Sequence, residues 1–248
     1  MSGHSKWSTI KHKKAAVDAK RGKLFTRLAK EITIAAREGD PDPDFNPALR
    51  LAIDKAKKNN MPNDNIDRAV KRGTGELEGG ELFEVVYEGY GPHGVGILIE
   101  CVTDNKNRAV AEIRHTLGRY NGNMATSGAV AWQFTQKGYF AFSQDVDHDE
   151  FFLLAAEAGA EDVQFSDELT EVFTEKELFS DVRDAIQGEK IELEEANLIY
   201  DPNNPMDLPQ DDALQVMKLI EALEDLDDVQ NVYSALEISD EAIAAMEA

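Results

Sequence analysis

Apolar positions in the first third of the chain recur with the period of an α-helix. Between residues 14 and 38 the apolar side chains fall on one face at about 100° per residue, and basic side chains fall on the opposite face. Asn46-Pro47 carries the N-cap and first-turn proline of a second helix, and Pro62-Asn63 opens a third helix that ends at Gly73. We predict three packed helices. The first contributes an inward set of Leu24, Phe25, Leu28, Ala29, Ile32, Ala35 and Ala36.

The pattern changes after a glycine-rich linker at residues 73–80. Two β-rich runs, at 82–90 and 94–103, are separated by Gly-Pro-His and predict a hairpin. A helical pattern follows at 104–117. The middle of the chain therefore begins a domain that contains a sheet.

A second sheet is predicted further along. From residue 139 to residue 199 the order is strand, helix, strand, strand, helix, strand, which is that of a ferredoxin-like unit. A proline-rich segment ends this unit, and a helix at 211–223 and a strand at 229–236 remain. These two elements would complete the sheet that the hairpin begins, so the ferredoxin-like unit is inserted into that domain.

We therefore predict the α+β class, with an N-terminal three-helix domain and two further domains, the third inserted into the second. Residues 1–75 form a basic arm and the helical domain. Residues 81–135 and 206–248 form a discontinuous α+β domain, and residues 136–205 form the inserted βαββαβ domain.

The net charge of −22 is distributed unevenly along the chain. Residues 1–75 carry 17 Lys and Arg against 9 Asp and Glu, whereas residues 76–248 carry 9 against 39. Such a split is typical of a polyanion-binding module attached to domains that do not bind polyanions. Because acidic domains are repelled by a phosphate backbone, we expect any contact with nucleic acid to be local and oriented.

The basic arm and the first helix are the main candidate site. Asp18 is the one acidic residue in positions 1–30. A helix face that only keeps the protein soluble usually carries both acidic and basic residues. Phosphate binding therefore explains this nearly all-basic pattern better than a solvated face. Trp7 and His12 are placed to stack on unpaired bases, and an anchor that packs the arm on the helical domain is an equally good role for Trp7. The candidate nucleic-acid-binding residues are Lys6, Trp7, Lys11, His12, Lys13, Lys14, Lys20, Arg21, Lys23, Arg27 and Lys30.

A second candidate surface lies on the helix after the hairpin. Glu112 can pair with Arg108 at four-residue spacing, so a plain surface ion pair explains this surface nearly as well as function does. The polar segment at residues 121–130 follows the helix, and we expect it to be a flexible, exposed loop. The residues of this secondary surface are Lys106, Arg108, Arg114, His115 and Arg119.

Three strings imitate known sites but occur in the wrong context. Gly89-Tyr-Gly-Pro-His-Gly94 matches a dinucleotide fingerprint, yet a strand follows where a helix N-terminus is needed, so we interpret it as a hairpin turn. Lys137–Phe142 resembles an RNA-recognition signature, yet it starts the first strand of its domain, so alternating core aromatics explain it better. Asp145–Asp149 opens like a calcium loop, yet Glu150 and Ala156 stand where Gly and Glu are required.

No catalytic, metal or cofactor site is predicted. The five histidines lack metal-ligand spacing, no serine lies in a nucleophile elbow, and no cofactor motif is present, so we expect a protein that is not an enzyme. Cys101 lies in an apolar run and is expected to be a buried small hydrophobe. The apolar runs are all well short of the ~20 residues that span a bilayer, and no secretory signal pattern is present. We expect a cytoplasmic protein without a membrane partner.

Ordered motifs along the chain resemble the YebC/PmpR family. They are Gly3-His-Ser-Lys-Trp7, Lys11-His-Lys-Lys14, Asp18-Ala-Lys-Arg-Gly-Lys23, Asn59-Asn-Met-Pro-Asn-Asp-Asn-Ile66, Arg68-Ala, Arg72-Gly and the late Ile238-Ser-Asp240. The resemblance covers essentially the whole chain and implies one helical and two ferredoxin-like domains around a cleft. Family members are described as probable DNA-binding transcriptional regulators. Related members, including the mitochondrial translational activator of cytochrome oxidase, point instead to the ribosome.

From these features we expect a monomeric, nucleic-acid-binding regulator of gene expression whose partners are DNA or ribosomal RNA, with ribosomal proteins as further partners. The predicted third helix exposes Asp64 and Asp67, which oppose entry into a DNA groove, so the physical argument favours structured RNA. The alternative is a protein-interaction adaptor whose acidic domains dock basic partners.

Overall fold

The computed structural model describes the backbone of residues 18–78, 80–166 and 169–247. Within these residues the chain forms eight α-helices and two four-stranded sheets, which confirms the predicted α+β class. The helices are α1 (Asp18–Glu38), α2 (Pro47–Lys58), α3 (Asn63–Gly73), α4 (Lys106–Arg119), α5 (His148–Ala158), α6 (Phe179–Gly188), α7 (Gln210–Glu224) and α8 (Asp240–Glu247). The strands are β1 (Phe83–Tyr90), β2 (Gly96–Thr103), β3 (Asn123–Met124), β4 (Phe134–Phe142), β5 (Ala160–Phe165), β6 (Thr170–Glu175), β7 (Glu195–Pro202) and β8 (Val229–Ser234).

The chain divides into two compact units, Met1–Gln133 with Pro202–Ala248 and Phe134–Asp201. We refer to them as the first unit and the second unit. The first unit contains the helical domain (α1–α3) and a sheet domain that includes β1–β3, α4, α7 and β8. None of the described helices combines the length and the apolar character needed to cross a membrane.

The three helices of the helical domain pack on one core. The predicted inward residues Leu28 and Ile32 of α1 are fully buried in it together with Leu49 of α2. The buried Asn46 caps α2 by accepting a hydrogen bond from the Leu49 N–H at 3.0 Å, and its amide nitrogen donates to the carbonyl of Ala35 at 2.8 Å. One side chain therefore satisfies the start of α2 and ties it to the end of α1.

Gly73 sets the approach of α3 to α1. A Cβ added at this position would lie 2.4 Å from the Thr33 carbonyl oxygen and 2.7 Å from the Ala36 Cβ. The glycine that ends α3 is thus required by the close packing of α3 on α1.

The sheet of the first unit has the order β3-β1-β2-β8, with the predicted hairpin of β1 and β2 at its centre. The hairpin turn places His93 and Gly94 at φ values of 61° and 81°, and the Gly91 N–H bonds the Val95 carbonyl at 2.8 Å. The string Gly89–Gly94 therefore ends β1 and forms the hairpin turn to β2, as we interpreted it. α4 and α7 pack against this sheet.

The second unit has the sheet order β5-β6-β4-β7, which is that of a ferredoxin-like βαββαβ unit. The aromatic residues of β4 are buried in its core, where Tyr139 contacts Phe173 and Phe140 stacks on Phe179. The interpretation of Lys137–Phe142 as core aromatics is confirmed. Asp147, from the string that opens like a calcium loop, caps α5 by accepting hydrogen bonds from two N–H groups.

Two strands have bounds that differ from the sequence prediction. β4 begins at Phe134 instead of 139, and β7 covers Glu195–Pro202 instead of 191–199. Ile191 and Leu193 are buried in a segment without regular secondary structure before β7, so their alternation looked like a strand. The short helix α8 was not predicted.

Candidate nucleic-acid interface

The arm residues Lys6, Trp7, Lys11, His12, Lys13 and Lys14 lie outside the described residues. Lys20 and Arg21 belong to the first turn of α1, and their side chains are not described. The structure therefore places three of the predicted phosphate-binding side chains, which are Lys23, Arg27 and Lys30.

These three side chains contact the loop after α7 and the start of β8. We call residues 225–230, which cover this loop and the first two residues of β8, the acidic segment. Lys23 Nζ donates to the Asp225 carbonyl at 2.7 Å, and Arg27 Nη1 donates to the Gln230 carbonyl at 3.3 Å. The basic face of α1, which we expected to bind phosphate, thus packs against the sheet domain at these three side chains. A charge pattern on one helix cannot reveal this partner, which lies about two hundred residues away in sequence.

Lys30 reaches furthest into this contact. Its Nζ lies 2.8 Å from the Asp227 carbonyl oxygen and 2.9 Å from Asp228 Oδ1, and its side chain is only 14% exposed. The opposite oxygen of Asp228 accepts from the Thr103 hydroxyl at 2.9 Å and from Arg108 Nε and Nη2 at 3.1 and 2.7 Å. The carboxylate of Asp228 therefore joins α1, the end of β2 and the first turn of α4.

The electrostatics of Asp228 follow from this geometry. Burial by itself raises the pKa of the carboxyl, because only 3% of the residue is exposed. Hydrogen bonds from Lys30 and Arg108 outweigh burial, so the pKa of Asp228 lies below its ordinary value. The group remains ionised at neutral pH and holds two cations.

Arg108 has a different partner from the one that sequence spacing suggested. Its guanidinium binds Asp228 and also Asp104 Oδ1 at 2.9 Å, and Glu112 is not among its partners. The hydrogen bonds to Asp228 and Asp104 raise the pKa of Arg108 above its ordinary value. The structure thus brings Lys30 of the main candidate set and Arg108 of the secondary set to one carboxylate.

The other members of the secondary surface are dispersed along α4. Lys106 Nζ lies 4.2 Å from the centroid of the Phe83 ring, and the Arg119 guanidinium lies 5.8 Å from the Tyr120 ring. Arg114 and His115 are exposed. Apart from Arg108, this set does not converge on the Asp228 carboxylate.

A cleft of about 680 Å³ separates the helical domain from the sheet domain within the first unit. Lys30, Arg68 and Arg72 line it from the helical side, and Asp104, Arg108 and Glu112 line it from the sheet side. Arg68 and Arg72 are one helical turn apart on α3 and exposed. The guanidinium group of each arginine forms no ion pair and no hydrogen bond with any other residue in the described part of the chain. Both arginines belong to motifs that resemble the YebC/PmpR family, but neither was among the predicted site residues.

The polar segment at 121–130 is held by a buried carboxylate, in contrast to the flexible loop that we expected. Glu88 on β1 is 7% exposed and accepts hydrogen bonds from the N–H groups of Gly128 and Val130 at 2.6 Å and of Ala131 at 2.9 Å. Burial raises the pKa of the Glu88 carboxyl, but these three donors outweigh burial and leave the pKa below its ordinary value. The sequence signal is weak, because Glu88 is one of two acids, with Glu84, in the otherwise apolar strand 83–90.

Potential metal ligands and the cysteine were the other candidate reactive groups in the described residues. Among the residues in the described ranges, no group of three or more His, Cys, Asp and Glu side chains is arranged to hold a metal ion. Cys101 is 2% exposed, and burial and the neighbouring Asp228 raise the pKa of its thiol to about 12. It is therefore an inert side chain in the sheet core.

Comparison with known proteins extends the picture to the whole chain. The family model for the TACO1/YebC protein N-terminal domain matches residues 5–76, and that for the TACO1/YebC second and third domain matches residues 82–236. A probable transcriptional regulatory protein of Geobacter sulfurreducens is 53% identical over 241 residues, which are 97% of this chain and 98% of that one. Another of the same description, from Idiomarina loihiensis, is 52% identical over 248 residues, which are 100% of both chains.

The fold is also shared with a protein of known structure. The crystal structure of a conserved hypothetical protein from Aquifex aeolicus has a TM-score of 0.83 and 44% sequence identity, over 92% of this chain and 94% of that one. The predicted resemblance to YebC proteins is confirmed by these matches. The chain belongs to the TACO1/YebC family.

Proposed function

We propose that this protein is a non-enzymatic, cytoplasmic regulator of gene expression that binds nucleic acid through its basic arm and helical domain. The observation that carries the proposal is the charge split, with 17 Lys and Arg against 9 acids in residues 1–75 and 9 against 39 in the rest. Family membership and the description of relatives as probable transcriptional regulatory proteins support it. Binding is expected to depend mainly on phosphate neutralisation and to weaken steeply with salt.

The structure of the helical domain indicates which of its cations can contact phosphate. Lys30 is already paired with Asp228, whereas Lys23 keeps about half of its side chain exposed. Further exposed cations of this domain lie on α2 and α3. They are Arg50, Lys57, Lys58, Arg68, Lys71 and Arg72. We propose that phosphate contacts are made by the arm, by the start of α1 and by the two α3 cations that line the cleft, Arg68 and Arg72.

Structured RNA, including ribosomal RNA, fits this surface better than a DNA groove. α3 is a single short helix, and its exposed face mixes Asp64 and Asp67 with Arg68 and Lys71. Two carboxylates on that face oppose insertion between phosphate backbones, and groove readout needs a helix whose side chains reach base edges. An irregular, phosphate-dense RNA surface makes no such demand. The acidic sheet domains are then directed away from RNA or towards basic ribosomal proteins.

Sedimentation of a lysate through a sucrose gradient, followed by crosslinking and sequencing of bound nucleic acid, tests this choice. We expect co-migration with ribosomes and RNA crosslinks in residues 1–75. Enrichment of one promoter sequence without ribosome association would replace the RNA proposal with a DNA-binding transcription factor.

Removal of residues 1–17 distinguishes nucleic-acid binding from an adaptor role. We expect the shortened chain to lose most of its salt-dependent RNA affinity, because it loses Lys6, Lys11, Lys13 and Lys14 and keeps the whole of α1. An adaptor that docks basic proteins through its acidic domains would keep its partner after this truncation.

A further inference from the structure

We propose that the cleft between the helical domain and the sheet domain of the first unit binds one unstacked nucleotide of single-stranded RNA, with its phosphate on Arg68 and Arg72. This inference rests on the proposed function and assigns it a specific site. It concerns residues of α3 that lie apart from the arm.

Arg68 and Arg72 supply the cations of this site. They lie four residues apart on α3 and line the same cleft. Their guanidinium groups have no acceptor within the described ranges of the chain, although the protein carries 48 acidic residues. A pair of guanidinium forks one helical turn apart matches the oxygens of a phosphate and gives charge-assisted, bidentate hydrogen bonds.

Two of the acidic residues in the cleft are already bound to a cation on the sheet side, away from Arg68 and Arg72. Asp228 and Asp104 are both bound to Arg108 on the sheet side. Their charge is therefore largely neutralised before a ligand arrives. The cations of α3 on the opposite side keep their charge for the ligand.

Two cleft carboxylates have no bonded side-chain partner among the described residues. These are Glu112 of α4 and Asp227 of the acidic segment. A carboxylate accepts hydrogen bonds from the exocyclic amino groups of adenine and cytosine, and it repels a second phosphate. The cleft therefore carries acceptors for a base on one side and donors for a phosphate on the other.

Apolar side chains complete the lining. Ala29, Met61 and Ala69 line the cleft from the helical domain, and Leu82 lines it just before β1. A volume of about 680 Å³ lies within the range of pockets that hold one small ligand. A nucleotide unit fits such a space, whereas a duplex is too wide to enter it, so the site selects unpaired RNA.

The test uses the full-length chain and a fluorescein-labelled single-stranded oligoadenylate, with fluorescence anisotropy measured across a salt series. Arg68→Gln/Arg72→Gln removes two charges that line the cleft. The matched control, Lys57→Gln/Lys71→Gln, removes two charges at exposed positions of α2 and α3 that do not line it. Because all four side chains are exposed, both variants are expected to fold, which circular dichroism checks.

We expect the Arg68/Arg72 variant to lose at least about tenfold in affinity and about 1.4 from the slope of log K against log salt, as for two lost phosphate contacts on a single strand. The Lys57/Lys71 variant should stay within about twofold of the unmodified protein. A third variant, Asn65→Trp, places a large side chain at a cleft-lining position without changing charge, and it should also weaken binding.

Each other outcome has a distinct meaning. Equal weakening in both double variants would show that the arginines act only through the general field and would overturn the cleft site. Unchanged affinity in the Arg68/Arg72 variant would place the bound strand elsewhere, and the proposed function would stand. No salt-dependent binding by the unmodified protein to either this probe or structured RNA would instead overturn the proposed function itself.

Discussion

Lys30 Nζ lies 2.9 Å from Asp228 Oδ1, and this ion pair joins two residues 198 positions apart in sequence. Both side chains are largely buried, and the second oxygen of Asp228 is occupied by Arg108 and Thr103. A buried carboxylate with several donors is strongly ordered, because loss of any donor leaves charge uncompensated in a medium of low polarizability. The contact therefore sets how the helical domain lies against the sheet domain within the first unit.

Replacement of Asp228 by Asn should destabilise the first unit by about 3 kcal/mol, because Lys30 and Arg108 would lose their shared charged acceptor. Urea unfolding followed by circular dichroism measures this difference in the free energy of unfolding. Asp227→Asn is the matched control: Asp227 is exposed and contributes only its backbone carbonyl to Lys30. Equal effects of the two substitutions would contradict the role assigned to the Asp228 carboxylate.

Stability should also depend on the ionisation of Glu88, whose folded-state pKa lies below the ordinary value of 4.5. Because the folded pKa is the lower one, this contribution is fully present above pH 4.5 and is lost as the pH falls through the folded value. Glu88→Gln should therefore cost about 2 kcal/mol at neutral pH, and this difference should shrink in acid.

Hydrogen exchange provides a local measurement of the same contact. In the Glu88→Gln variant the amides of Gly128, Val130 and Ala131 should exchange faster, because they lose a charged acceptor. Glu81→Gln, an exposed position just before β1, serves as the control and should leave these amides protected. A constant stability difference between pH 7 and acid would show that Glu88 acts by packing alone.

Two glycine-to-alanine substitutions in the helical domain should change the free energy of unfolding in opposite directions. Gly73→Ala should destabilise by about 1–3 kcal/mol, because its Cβ would collide with the Thr33 carbonyl and Ala36. Gly22→Ala should stabilise by roughly 0.5–1 kcal/mol, because Gly22 lies within α1 with nothing within 4 Å of an added Cβ. Thermal unfolding of both variants measures the difference, and a stabilised Gly73→Ala protein would rule out the close helix approach.

Cys101 should be inert in the folded protein. Its thiol is buried and has a pKa of about 12, so very little thiolate is present at pH 8. Reaction with an aromatic disulfide reagent should be negligible in native buffer and stoichiometric in denaturant. A Ser127→Cys variant supplies an exposed thiol for comparison and should label at once. Fast native labelling of Cys101 would mean that the sheet of the first unit opens readily.

The local parts of the fold could be predicted from the sequence because their signals are local. Asn46-Pro47 starts α2, because the Asn46 side chain accepts a hydrogen bond from the N–H of Leu49, three residues later. Gly89–Gly94 carries the glycines and the proline that are typical of a tight turn. The strand and helix order of residues 139–199 follows from alternation and period, and the same patterns placed Tyr139 and Phe140 in a core.

The partners of charged side chains were decided only by the tertiary structure. The spacing of Arg108 favoured Glu112, but the fold brings Asp228 to it from 120 residues away. Glu88 and the loop that it holds, and the cleft that Arg68 and Arg72 line, arise in the same way from distant segments. The helices and strands and the concentration of positive charge near the N-terminus follow from local sequence, because period, caps and net charge are properties of neighbouring residues. Which cations are neutralised and which remain open depends on distances across the fold, because ion pairs and hydrogen bonds form between atoms in space regardless of their separation along the chain.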